Sequence, residues 1–523
     1  MSQNSALNCA NRAELKAQLE AQCYDLAIIG GGITGAGIAR DAALRGLKVA
    51  LLEAQDFASG TSSRSSKMIH GGLRYLVQGD IPVVKESASE RAILHSIAPH
   101  LAKKSPYILT TRSRLESLFL RIALRIYELL GKVDKEDKHQ IWSVSKLQKQ
   151  EPGLSTKGVH NAIVYPEFLT DDARLTLATI RSAKAAGAVV CNYMAVTAVS
   201  RDGNFALNAE SRLPEDSTNA IVTAKLVINA AGPWVDQLCK MENPAQSPRL
   251  ALSRGIHVVV SADRLKVNNT VVMSTRDKRK IFAVPVDEYT YLGTTDEFYP
   301  DTDYWPEVYA KDVDYLFSTT NRYFPNTHLS AEDVVSVWSG VRPLVGSPEG
   351  KANEISRKDE VWEGPMGMLS IAGGKLSAYR AMAERIVDRA IDILGLDAKP
   401  SNTAKLPLPG GESILYSHLT KLDKKTHRRW TRLYGSEIND VNALGTGLEA
   451  EVRYAVAVEG ALRLEDYWAR RSSRAWFDDR GGIDSLEPTS HLMAELLNWS
   501  EDRRKQEVTN CLEIDKASRQ HIH

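Results

Sequence analysis

Hydrophobic and polar positions alternate with helix and strand periods along most of the chain, and one stretch carries both in quick succession. An apolar run, Leu26 to Ile29, reads as a short buried strand. It breaks at Gly30-Gly31-Gly32 and resumes as an Ala-rich helical pattern ending near Arg45-Gly46. A second apolar run, Val49 to Leu52, then ends in an acid, Glu53. Further along, Ile81 to Ala102 is helical in period. Ile163 to Ile180 reads as strand, turn and helix, with Asp171 or Asp172 as N-cap. Val189 to Val199, Asn204 to Ala209 and Lys225 to Ala231 are strand-like. From Leu250 to Val345 the pattern is strand-rich, with candidates at Gly255 to Val260, Asn269 to Met273, Lys280 to Pro285, Thr290 to Thr294 and Val334 to Gly340. Lys311 to Phe317 is helical, and Met368 to Ile371 leads through Gly373-Gly374-Lys375 into a helix, Leu376 to Leu394. Beyond Lys399 a Pro/Gly-rich connection opens a polar helical region: Ser413 to Tyr434, Val441 to Ala443, Gly447 to Leu464 and Ser490 to Arg519.

These patterns predict an α/β fold. A Rossmann-like nucleotide-binding domain is interleaved with an antiparallel-sheet domain, and an all-α C-terminal domain follows. The expected boundaries are a helical leader over 1–23, a core over 24–398 whose substrate part lies mainly in 100–165 and 250–355, and a helical cap over 399–523. A chain of 523 residues is long enough for such a division.

Composition changes little in this picture. The chain is 43% hydrophobic and 25% charged with a formal net charge of +1, so no global field points to nucleic acid. Its 5 cysteines form no CxxC or Cys/His spacing, which argues against a disulfide framework or a metal site and for a reducing compartment. The first residues lack the apolar region of a signal peptide, and no run reaches the length of a membrane span.

One helix stands apart. Arg114 to Lys132 is strongly apolar, with Arg114, Arg121, Arg125 and Lys132 along one stripe and Leu115, Phe119, Ile122, Ile126, Leu129 and Leu130 filling much of the rest. Taken alone it reads first as a helix packed on its own domain with a solvated basic edge. The second reading is a basic amphipathic helix lying in a bilayer interface.

The chemistry starts at the Gly-rich turn. Gly30 can make the tight turn, Gly32 admits a pyrophosphate to the backbone, and Gly35 lets the helix pack close. The helix N-terminus offers N–H groups to the diphosphate, and Glu53 sits where a carboxylate accepts from ribose hydroxyls. The next segment, Phe57 to Leu76, gathers small hydroxyl residues, glycines, Arg64, Lys67, His70 and Arg74. Gly60 to Ser63 reads as a loop and Ser65 to Ile69 as a helix start, on backbone of the kind that hugs a ligand. Two more close approaches follow, at Ala231-Gly232 and at Gly374-Lys375. Together they suit an extended flavin dinucleotide better than NAD.

The ordered set TSSRSSKMIHGGLRYL, NAAGPW, GTTD, SGVRP, GGKLSAYR and EVRYAVAVEGALRLEDYWARR resembles the FAD-dependent, quinone-linked glycerol-3-phosphate dehydrogenases, over roughly Tyr24 to Arg471. The resemblance implies oxidation of sn-glycerol 3-phosphate to dihydroxyacetone phosphate by hydride transfer to flavin N5. Electrons would pass to the quinone pool at the inner face of the cell membrane, from a cytoplasmic, peripherally bound protein. It also implies cofactor contacts at Thr61, Ser62, Ser66, Lys67, His70, Gly71, Gly72, Ala231, Gly232, Gly374, Lys375, Leu376 and Ser377, besides the fingerprint residues. Arg74, Tyr75, Arg342 and Arg357 match substrate-contacting positions, where arginine forks suit a phosphate dianion. His257 is the general base favoured by intrinsic pKa, with Arg342 and Lys375 stabilising the developing alkoxide. A homodimer is considered as an assembly, with nothing in the residues to decide it.

Two departures stand out. Ser377-Ala378 replaces the usual threonine pair, and Trp468-Ala469 replaces aliphatic residues before Arg470-Arg471. Two rival readings remain open: an oxidase using oxygen, from which the absence of an insertion between Met273 and Val341 counts, and a non-catalytic flavin-fold binding protein, from which the retained pocket cations count.

Overall fold

The computed structural model describes residues 5–70, 81–131, 133–346, 359–412 and 422–522. Two sheets meet along the cofactor fingerprint. In the first, the Tyr24–Ile29 strand lies between Asn219–Asn229 and Val49–Leu52, parallel to both, in the order 359–363, 369–373, 219–229, 24–29, 49–52, 189–191. Ile29 is in register with Leu52 on one side and Asn229 on the other, so the carboxyl ends of these strands finish level. All three loops that leave this edge carry small residues: Gly30 to Gly32, Ala230 to Gly232 and, after Leu369–Gly373, Gly374. A buried parallel sheet reads as continuous apolar runs, and Leu26, Ala27, Ile28, Val49, Ala50 and Leu51 are all buried.

The second sheet is mostly antiparallel. Its long Leu250–Ser261 strand pairs with Tyr289–Gly293, Glu297–Phe298 and Val334–Val345, and Thr270–Ser274 runs parallel to Lys103–Thr111. One hydrophobic cluster underlies each sheet, and a third joins the second sheet to the C-terminal helices through Tyr291, Trp338, Trp468 and Trp476.

Several expectations shift on tertiary grounds. Ser65 to Ile69 is no helix start: Met68–Ile69 is a two-residue strand paired with Phe168 and Leu169, a pairing invisible to local periodicity. The helix after the second glycine turn begins at Tyr379, because Leu376–Ala378 first makes a 3₁₀ turn. Helical Gly447 to Leu464 stops at Ala457, and Ser490 to Arg519 is two helices, broken where Asn498 adopts φ +54°. Asp171 is the N-cap of the Asp172–Ala185 helix, its side chain accepting from the Arg174 N–H.

The Arg114–Leu130 helix is where the first sequence reading fails. Its apolar face is the exposed one, with Leu115 and Leu129 each 80% exposed and Leu118, Phe119, Ile122 and Ile126 open beside them. Ser117, Ala123, Leu124, Tyr127 and Glu128 face inward. No described helix is long and apolar enough to cross a membrane. The five cysteines are free thiols.

Candidate active site

The Gly-rich turn is built by steric necessity. Gly30 has φ +111°, and a Cβ there would lie 2.6 Å from the Ala230 carbonyl oxygen. A Cβ on Gly35 would collide with the Gly30 carbonyl, which is why the helix packs this closely. Gly32 is the N-cap of the Ile33–Leu44 helix and contributes no side-chain cap. Ser62 supplies one from outside: its Oγ accepts from the Ile33 N–H at 2.9 Å. Glu53 accepts from the Gly31 N–H at 2.6 Å and from the Gln55 N–H at 2.8 Å. Burial pushes its carboxyl up against those bonds.

These groups open into a cavity of about 660 Å³ running along the sheet edge. Gly30, Gly32, Glu53, Thr61 and Ser62 line it, together with Ser66, His70, Ala231, Gly232, Arg342, Gly374, Lys375, Leu376 and Ser377. Trp234, stacked on Tyr304 at 4.3 Å, forms part of the wall as well.

Three expected residues stand back from the cavity. Gly35 acts beneath the turn. Lys67 turns its amine away from the cavity: Nζ is buried, donating to Asp172 Oδ1 at 2.6 Å and to the Ser63 carbonyl at 3.1 Å. Asp172 also accepts from Ser65 N–H and Oγ, so this carboxylate, read from sequence only as a possible cap, shapes the whole loop. His257 lies one layer behind Ser66, its Nε2 2.9 Å from Ser66 Oγ and its ring stacked on Trp338 at 4.7 Å. Burial, then Arg342 and Lys67, hold it well below the ordinary histidine range. Gly71, Gly72, Arg74, Tyr75 and Arg357 lie outside the described residues.

Arg342 is the best-positioned cation. Its Nη2 donates to Thr294 Oγ1 at 2.9 Å and to the Thr295 carbonyl, while Nη1 pairs with Asp296 at 3.1 Å. Gly255 leaves the space, since a Cβ there would strike the guanidinium. The GTTD and SGVRP runs are thus one device. The local pattern of either run alone does not show that they meet; the pairing of Ser253 with Arg342 across the second sheet does that.

The family described as FAD dependent oxidoreductase matches residues 25–380, and the C-terminal domain of alpha-glycerophosphate oxidase matches residues 401–504. The aerobic glycerol-3-phosphate dehydrogenase of Staphylococcus aureus is 36% identical over 527 residues, covering 95% of each chain. The chain belongs to the aerobic glycerol-3-phosphate dehydrogenase family of FAD-dependent oxidoreductases. A solved member from Bacillus halodurans, a glycerol-3-phosphate dehydrogenase complexed with FAD, superposes with TM-score 0.81 at 31% identity, covering 99% of each chain. An L-alpha-glycerophosphate oxidase from Mycoplasma pneumoniae, at 19% identity and TM-score 0.55 over 74% of this chain and 99% of its own, shares the fold.

The residues of this dehydrogenase fit FAD. The cradle at Gly30 and Gly31 has no room for side chains, the start of the following helix faces the cavity at Gly32 and Ile33 with only the Ile33 N–H taken by Ser62, and Glu53 and Lys375 line the same cavity. FAD is the cofactor of this family, and Glu53, Gly32, Ser62 and the Gly374 to Ser377 turn all line the cavity that would take it. Ser377, which keeps the hydroxyl of the family's usual pair, is buried and lines the cavity.

Proposed function

We propose that this protein oxidises sn-glycerol 3-phosphate to dihydroxyacetone phosphate and passes the electrons to a membrane quinone. The observation that carries the reading is Arg342, fixed by Thr294, Thr295 and Asp296 in the wall of the cavity that Lys375 also lines. An arginine fork held this rigidly recognises a phosphate or a developing alkoxide at little entropic cost. Bound flavin supplies the hydride acceptor at N5 for the hydrogen on C2. Ser66, on the cavity surface, takes the hydroxyl proton and His257 receives it through the 2.9 Å contact. Arg342 and Lys375 oppose the negative charge that builds on the oxygen.

The exposed apolar face of the Arg114–Leu130 helix supports attachment to one leaflet, with Arg125 beside it for anionic headgroups. Attachment at the inner face of the cell membrane would bring the flavin to the quinone pool. The C-terminal match to a family named for an oxidase keeps one rival in view, reoxidation by oxygen.

One experiment separates these readings. Glycerol 3-phosphate added without oxygen should bleach the flavin absorbance, and a soluble quinone analogue should restore it faster than air. Failure to bleach would remove the substrate assignment, and fast turnover on oxygen alone would remove the quinone.

A further inference from the structure

Arg64 is a buried cation with no carboxylate at ion-pair distance among the described residues. It is 4% exposed and lines the cofactor cavity. Its Nη1 donates to the Ser59 carbonyl at 3.1 Å, its Nε has no hydrogen-bond partner, and no carboxylate pairs with it among the described residues. Taking a guanidinium out of water without a counter-charge is costly, so folds rarely keep one unless a ligand completes it. Burial pushes it down to about 9, with Glu465 the largest opposing influence.

The surroundings point to what completes it. Arg64 belongs to the loop whose Ser62 caps the fingerprint helix, and it bonds to Ser59 just before the Gly60 turn. Tyr304, next to the Trp305 that Arg64 lies over, stacks on Trp234 at 4.3 Å, and a Cβ on Gly60 of the same loop would lie 2.9 Å from Trp234, so Arg64 is held on the side where this loop caps the fingerprint helix. The proposed reaction already uses Arg342 and Lys375. The guanidinium is also held in place. Its Cζ lies 3.8 Å from the Trp305 ring centre, and Trp305 is stacked on Trp468 at 6.4 Å and tilted on Trp476 at 5.7 Å. Gly340 leaves room for the Arg64 backbone, since a Cβ there would lie 2.6 Å from the Arg64 carbonyl oxygen.

We propose that Arg64 is the counter-charge for the FAD diphosphate, and that Trp305, backed by Trp468 and Trp476 of the helical domain, is its positioning residue. The inference rests on FAD as cofactor and goes beyond it. It gives the C-terminal domain a part in cofactor retention, and it gives the unusual Trp468 a purpose.

The test is release of FAD from the holoenzyme, followed by the fluorescence of free flavin across a salt series. Arg64→Gln should raise the FAD Kd at least tenfold and flatten its dependence on salt, and Arg64→Lys should restore much of both. Trp468→Leu, which leaves the cavity lining intact, should raise the Kd several-fold with the salt dependence kept. The flavin midpoint potential should stay unchanged in all three. A Kd within twofold of the parent in Arg64→Gln overturns the proposal. So does a shifted flavin potential with Kd unchanged, which would place Arg64 against the flavin ring. A Trp468→Leu protein that melts earlier but holds FAD as tightly as the parent overturns the positioning role.

Discussion

Ser66 Oγ lies 2.9 Å from His257 Nε2, a contact that joins the loop after the first βαβ unit to the inner strand of the second sheet. Ser66 lines the cavity and His257 does not, so the proposed base would receive the substrate proton through Ser66. His257→Asn should lower kcat by roughly 10²–10⁴-fold with FAD still bound, and Ser66→Ala should cost less, since a water can take the place of the hydroxyl. Burial with Arg342 and Lys67 keeps His257 neutral to well below its usual range. The acid limb of kcat/KM assigned to it should therefore fall below pH 6.5. A limb above that value, lost in His257→Asn, would contradict the assignment.

Arg342 tests the phosphate reading separately from the flavin. Arg342→Lys keeps the charge but loses the fork bonded to Thr294, Thr295 and Asp296. The KM for glycerol 3-phosphate should rise by about 10–100-fold, the equivalent of one or two charged hydrogen bonds. An unchanged KM would move the phosphate elsewhere.

The helical domain is fastened through Asp56. Arg471 and Arg470 both pair with its carboxylate, with Arg471 Nη2 at 2.8 Å, and all three side chains are buried. Burial raises the Asp56 pKa, but the two guanidiniums outweigh it and hold the carboxyl below its ordinary value. Asp56→Ala strands the buried Arg471, while Arg470 keeps Glu465 at 2.6 Å and Asp466 at 2.8 Å, and should cost about 3–5 kcal/mol in urea unfolding. A loss under 1 kcal/mol would show that solvent reaches this junction.

His100 gives a pH signature. Its ring is packed where Gly410 and Gly435 have no side chains, and burial pushes it down to about 3. A histidine depressed in the folded state stabilises fully above its unfolded value near 6.5, and that contribution is lost as pH falls from there toward 3. Between pH 7.5 and 5 the share from His100 should be about 2 kcal/mol. His100→Asn should flatten the pH dependence of urea midpoints by that amount, and an unchanged slope would mean that the ring is hydrated.

The apolar face of the Arg114–Leu130 helix should bind bilayers. Replacing Leu115 and Phe119 together by Glu should abolish sedimentation with anionic vesicles and leave FAD binding unaffected. Sedimentation equal to the parent protein would clear this helix of the role.

The sequence by itself determined the nucleotide half. Gly30, Gly32, Gly35 and Glu53 sit within one βαβ unit, where short-range sterics decide the outcome: Gly35 has to clear the Gly30 carbonyl, and the structure places both where the spacing implies. The motif order was equally legible, and with it the family. The tertiary structure decided what depends on distant partners. Local pattern gave Ser65 to Ile69 a helical period, but Phe168 and Leu169 draw its end into a strand. Lys67 reads as a ligand contact until Asp172 takes its charge, and His257 reads as a pocket base until Ser66 is found between it and the cavity. The Arg114 helix presents the same residues whether its apolar face is covered or bare; only the packing of Ala123, Leu124 and Tyr127 inward leaves Leu115 and Leu129 in the open. Periodicity records which residues share a face. It does not record what that face meets.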